Sequence, residues 1–186
     1  MNIVKLFIAV AFGLIAQNLQ AQTFKNPQKF KSFGRMQVNY GFGINDVFNE
    51  QKVNPLQIKF VFGKQNEHAG VGVGIATANF KSRGSNGGLN MNTISFSANG
   101  HYNLMSLSEN KQSPFVRASV GYAAKVFKDY VKGLNYDAGM GYILTNKKGA
   151  RYFVEAQYLT QDFEDFLYEG NKLKAESIGI GVGIWF

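Results

Sequence analysis

From residue 177 to residue 186 the sequence alternates without a break. Ile178, Ile180, Val182, Ile184 and Phe186 fall on one parity, and Ser177, Gly179, Gly181, Gly183 and Trp185 fall on the other. A period of two is the mark of an extended strand, whose side chains point to opposite faces in turn. A strand that is wholly apolar on one face and mostly tiny on the other fits a wall between hydrocarbon and a crowded interior.

Seven earlier runs follow the same rule. Residues 35–44 set Met36, Val38, Tyr40, Phe42 and Ile44 against Arg35, Gln37, Asn39, Gly41 and Gly43, and Leu56, Ile58, Phe60 and Phe62 alternate with Gln57, Lys59, Val61 and Gly63. Residues 70–79, 93–104, 115–125, 134–143 and 151–160 repeat it, with apolar or aromatic residues on one face and small or polar ones on the other. Eight runs of about ten residues predict an all-β chain, an eight-stranded antiparallel up-and-down transmembrane β-barrel. An even count lets the meander close on itself and leaves no unpaired edge in lipid.

The N-terminus supplies an independent clue. Lys5 precedes an apolar run over residues 6–16, and the small-residue site Leu19-Gln20-Ala21 follows. That order is that of a secretory signal peptide over residues 1–21, cleaved after Ala21. Its apolar core is too short for a spanning helix, which needs roughly 20 residues. Residues 22–33, polar and basic with one proline, read as a flexible lead-in, and 34–186 as the barrel domain. The absence of cysteine excludes a disulfide scaffold, a thiol enzyme and a thiolate metal site.

With export signal, alternating strands and terminal aromatic in view, the chain resembles the small eight-stranded outer-membrane β-barrels of Gram-negative bacteria, the OmpA/OmpX-like group. The likeness covers roughly residues 34–186. Its strongest element is residues 179–186, where Gly179, Gly181, Gly183, Trp185 and Phe186 look like the C-terminal signal read by the barrel assembly machinery of that family. The resemblance implies a monomer in the cell outer membrane, and it settles location better than activity, since the family includes anchors, adhesins, small transporters and a few lipid-modifying enzymes.

Connections suggest an orientation. Residues 63–69, 105–114 and 144–150 are compact or turn-rich and are assigned to the periplasm, and 45–54, 81–92 and 161–172 are longer or more polar and are assigned to the outside, with 126–132 as a short fourth outer loop. Tyr40, Phe42, Tyr102, Tyr122, Tyr136, Tyr142, Tyr152, Tyr158 and Phe186 share the apolar face, many near strand ends, as an interfacial girdle would; aromatics are also simply good strand formers. The net charge of +8, one unit fewer without Lys5, suits anionic partners such as outer-membrane lipid and lipopolysaccharide phosphates. An exported chain is a poor candidate for binding nucleic acid.

Parity drives Arg35, Lys59, Arg117, Asp137 and Glu155 into the lumen, with Lys125, Arg151 and His101 nearer its ends. Charges in so narrow a space need opposite partners. Asp137 and Glu155 lie on adjacent strands beside Arg117, so a structural ion-pair network is expected. Adjacent cations would keep both carboxyls ionised and unfit as acids.

Asp162, Glu164 and Asp165 form a second acidic group in the last long loop, without the spacing of a calcium motif. The two histidines, His68 and His101, give neither an activated nucleophile nor a zinc set. Glycines 70, 72 and 74, like 179, 181 and 183, lack the spacing of a nucleotide loop and instead let a strand curve and admit bulky neighbours. The basic segment 81–90 reads as a solvated hairpin end able to meet phosphates.

No catalytic residue, metal site or cofactor emerges. The expectation is a non-enzymatic barrel with a side-chain-filled polar lumen and an envelope-structural or surface-interaction role. Two rivals remain open: a narrow pore for small solutes or ions, and a soluble, secreted lipocalin-like barrel with inside and outside exchanged.

Overall fold

The computed structural model describes residues 30–47, 50–82, 88–106, 112–165 and 168–186, so the expected signal peptide and most of the lead-in lie outside the described residues. Eight strands follow one another in the chain: β1 (Lys31–Gly43), β2 (Asn54–Gln65), β3 (Ala69–Lys81), β4 (Asn90–Asn103), β5 (Gln112–Ala124), β6 (Gly133–Thr145), β7 (Arg151–Glu164) and β8 (Lys172–Trp185). Each pairs antiparallel with its neighbours, and β8 returns to β1 to close the barrel. Among the described residues no helix is long and apolar enough to cross a membrane.

The closing seam runs from Arg35↔Trp185 to Gly43↔Ser177. Past it, Gly34 donates to the Phe186 carbonyl at 2.6 Å and Phe186 donates back to the Gly34 carbonyl at 2.9 Å. β1 thus begins at Lys31, ahead of Gly34, and Phe33 is already enclosed. Strands of 12–14 residues, rising about 3.3 Å per residue and tilted, stand taller than a bilayer's hydrocarbon layer. Pro114 is accommodated in β5 because the β4–β5 register ends at Asn103↔Phe115. Its carbonyl accepts from Leu104 N–H at 2.9 Å, so its missing N–H would have faced the ended ladder.

Alternation disposes the side chains as the sequence implies. Val73 is 71% exposed and Met140 63%, and Phe96, Val120, Val154 and Val182 are likewise exposed, whereas Arg117 and Glu155 are 4% and 2% exposed. An exchanged, lipocalin-like arrangement is therefore not the one found: the apolar parity faces outward and the charged parity is enclosed. Most exposed outward aromatics of the strands fall in two zones. Phe62, Tyr142, Tyr152 and Phe186 lie toward the end where β1 begins and β8 finishes, the termini end of the described barrel, and Tyr40, Phe42, Tyr122 and Tyr136 lie toward the opposite end. Aliphatic residues, with Phe60 and Phe96, fill the band between.

β8 shows why the inward positions of that strand are glycine. A Cβ on Gly181 would strike the Asn39 Oδ1 atom and come within 3.0 Å of Glu155 Cγ and Oε1, and one on Gly183 would lie 2.6 Å from the Phe153 ring. The wall is thinned where large lumen side chains press against it. Gly181→Val is accordingly expected to overpack the lumen and cost about 1–3 kcal/mol, read as a lower urea midpoint of the protein folded in lipid vesicles.

Candidate functional site

The lumen is stacked in three layers, and the middle one holds the charges. Arg117 on β5 reaches both carboxylates. Its Nε donates to Glu155 Oε2 at 2.7 Å, Nη2 donates to Glu155 Oε1 and, at 2.9 Å, to Gln157 Oε1, and Nη1 donates to Asp137 Oδ1. Lys59 crosses the lumen from β2 and donates to Asp137 Oδ2 at 2.8 Å and Ser119 Oγ at 2.7 Å. The Ser119 hydroxyl in turn donates to Asp137 Oδ2 at 2.5 Å. Gln37 Nε2 donates to Glu155 Oε1 at 3.3 Å, and Asn39 Nδ2 to Gln57 Oε1 at 2.9 Å. The two-toothed grip on Glu155 is the strongest geometry available to a guanidinium.

Arg35 is the exception in this layer. It is 1% exposed, and its Nε and Nη1 have no hydrogen-bond partner among the described residues. Its guanidinium carbon lies 5.4 Å from the centre of the Trp185 ring, a cation–π placement. Three enclosed cations therefore face two carboxylates, and the third leans on an aromatic face.

Below the charges, toward the termini, lies an apolar layer of Phe33, Val61, Phe115, Ile143, Phe153 and Trp185. Trp185 is its hub, with Phe115 and Phe153 edge-on at 5.5 and 6.0 Å between centroids and His101 edge-on at 4.6 Å. Its Nε1 donates to Gln65 Oε1 at 3.3 Å. Above the charges, a second apolar layer contains Val47, Val53, Ala78, Phe80, Met91, Leu159, Phe163 and Ala175. Both layers share the parity of the charges: Phe33 precedes Arg35 by one alternation, Phe115 precedes Arg117, Phe153 precedes Glu155, and Val61 follows Lys59.

Of the residues expected in the lumen, Arg35, Lys59, Arg117, Asp137, Glu155 and His101 are enclosed, and Arg151 is half-buried at the termini end. Lys125 is not in the lumen; it is exposed just past the end of β5, where the chain has left the sheet. The acidic group also differs from the sequence expectation of a loop cluster. Asp162 and Glu164 belong to β7, because pairing with β8 continues to Glu164↔Lys172. Glu164 Oε1 is bridged to Lys172 at 3.2 Å and Asp165 Oδ2 to Lys132 at 2.6 Å. The bond from Lys132 holds the Asp165 carboxyl below the usual carboxylate range. Glu164 and Asp165 are engaged by lysines, Asp162 Oδ1 is buried without a hydrogen-bond partner, and no group of metal ligands forms among the described residues.

His68 sits in the β2–β3 turn, stacked on Tyr102 with Nδ1 3.3 Å from the Asn103 carbonyl, while His101 Nε2 lies 3.2 Å from Gln65 Oε1. Their recorded ring partners are aromatic, amide or carbonyl groups, not hydroxyls. In the segment 81–90, residues 83–87 lie outside the described residues.

No protein-family model matches the chain, nor does any curated protein. Solved structures do. The outer membrane protein OprG from Pseudomonas aeruginosa is similar at a TM-score of 0.51 and 14% identity, over 83% of this chain and 95% of that one. Neisserial surface protein A is similar at a TM-score of 0.56 and 8% identity, over 85% of this chain and 99% of that one. At such identities the likeness is one of fold, and the fold is that of the small eight-stranded outer-membrane β-barrels.

Proposed function

We propose that the protein is a monomeric, non-enzymatic barrel of the cell outer membrane whose lumen is sealed and whose role is envelope-structural or exercised at its surface. The observation that carries this reading is the three-layered lumen: the Arg117–Asp137–Glu155–Lys59 network lies between two apolar layers, so an ion crossing it would have to break buried pairs and pass dry aromatics. The apolar outer wall and its two aromatic zones support a bilayer location, as do the outer-membrane and surface names of the solved neighbours. The end opposite the termini faces outside in this reading. Full closure, which leaves no strand edge, supports a monomer. The expected signal peptide directs export, lipopolysaccharide is the natural anionic neighbour, and nucleic acid is not a partner.

Biogenesis belongs to the same proposal. The last strand, with Gly179, Gly181, Gly183, Trp185 and Phe186, serves as the segment that the barrel assembly machinery reads. What supports this is its division of labour: Trp185 points into the lumen and Phe186 outward beside Gly34.

Planar-bilayer recording tests the sealed lumen. The expected result is no steady conductance in repeated reconstitutions of protein whose unboiled band migrates anomalously, as a closed barrel's does. A second reading, a narrow anion path, is favoured by one observation only, the unpartnered donors of Arg35 in a layer with one surplus cation. Steady conductance that Lys59→Glu abolishes or reshapes would establish that reading in place of the first.

A further inference from the structure

The connection between β5 and β6 is short, yet it is bound to the barrel rim on both sides. Val131 N–H donates to the Asn92 carbonyl at 2.9 Å while Tyr130 bridges to Asn92, and Glu164 N–H donates to the Lys132 carbonyl at 2.8 Å. The segment so held forms one wall of a pocket of about 330 Å³, lined by Lys125, Lys128, Asp129, Lys132, Glu164 and Asp165 among others. Its charges are unequally engaged. Asp165 is bridged to Lys132 and Glu164 to Lys172, whereas Lys125 and Lys128 are exposed and belong to neither of these pairs. Two lysines thus stand against one carboxylate, Asp129, outside the bridges.

The pocket's place on the wall decides what it suits. Directly beneath it Tyr122 and Leu134 are cross-strand partners, Phe96 is the partner of Tyr122 on the other side, and all three are exposed on the apolar exterior. The Tyr122 hydroxyl donates to Glu164 Oε2 at 3.3 Å, so the aromatic zone and the pocket floor are contiguous. A free ion would use only the lysines. A ligand with an anionic head and an acyl tail would use the lysines and the wall below them together.

We propose that this rim pocket binds the phosphate of a membrane lipid, with Lys125 and Lys128 on the phosphate oxygens and the acyl chains laid along Tyr122, Leu134 and Phe96. The inference rests on the membrane-spanning reading above and adds a site and a ligand class to it.

Native mass spectrometry of the detergent-folded protein tests it, with phosphatidic acid, phosphatidylcholine and inorganic phosphate as probes. Phosphatidic acid is expected to be retained in preference to phosphatidylcholine, and Lys125→Ala with Lys128→Ala is expected to weaken that binding roughly tenfold. Lys31→Ala with Lys64→Ala, at the opposite end, should leave it unchanged. Equal loss in both double variants, or no loss in the first, overturns the site; full competition by inorganic phosphate overturns the lipid as its ligand. All variants are first checked for the anomalous unboiled mobility, so loss of that mobility in the wild type refutes the barrel reading separately from the lipid result.

Discussion

Arg117→Leu is expected to destabilise the barrel by about 3–5 kcal/mol, the range for removing one partner of a buried ion pair. The cost arises from what stays behind. Glu155, 2% exposed, keeps only the Gln37 amide as a side-chain donor, at 3.3 Å. Asp137 fares better, since Lys59 and Ser119 still hold its other oxygen. The damage should therefore localise on Glu155, and adding Glu155→Leu to Arg117→Leu should recover part of the loss, because the Lys59–Asp137 pair stays intact while enclosed Arg35 is left with the Trp185 face and no carboxylate of its own. Urea unfolding in lipid vesicles, carried through a double-mutant cycle, measures both effects. A double variant no better than Arg117→Leu alone would show that the guanidinium matters by packing and not by charge.

Phe153→Ala is expected to cost a similar amount, about 3–5 kcal/mol, for a different reason. The ring stands 5.6 Å from Phe115 and 6.0 Å from Trp185, both edge-on, and occupies the space left by Gly183. Glycine cannot grow to fill the hole, and the strands around it are locked in register, so the cavity persists. The unfolding midpoint by circular dichroism should fall. The emission of Trp185, the chain's one tryptophan, should shift to the red as its edge is uncovered. An unmoved emission would mean that the layer closes over the gap.

Much of this was readable from parity. A period of two, held over eight runs, is enough to put Met140 and Val182 on one face and Arg117 and Asp137 on the other, and adjacency of β5, β6 and β7 is enough to bring Arg117 beside the two carboxylates. What parity does not carry is height. Lys59 and Asp137 belong to strands that are not neighbours, and they meet only because the closed cylinder is narrow enough for a lysine to span. The same limit hid the two apolar layers: Phe115, Val61 and Phe153 are inward by parity, but their gathering around Trp185 follows from the stagger of eight registers.

Strand ends failed for a related reason. Residues 161–164 look like polar loop, and β7 continues through them because β8 offers a partner as far as Lys172. Arg35 on Trp185 joins strands that are neighbours only through closure, so nothing along the chain announces it. The rim pocket is likewise a product of tertiary pinning, since Lys125 and Lys128 alone resemble any solvated pair of lysines.

The seam between β1 and β8 has a kinetic consequence. Arg35 meets Trp185, and Gly34 meets Phe186, across almost the entire length of the polypeptide. Contacts so remote along the chain form late and slowly, because the intervening loop must be brought together first. Until then the sheet is an open ribbon with two raw borders of amide and carbonyl groups, which hydrocarbon will not tolerate. Insertion and curling of this chain must therefore be concerted, and whatever shelters its two borders in the interval governs how fast the finished cylinder appears.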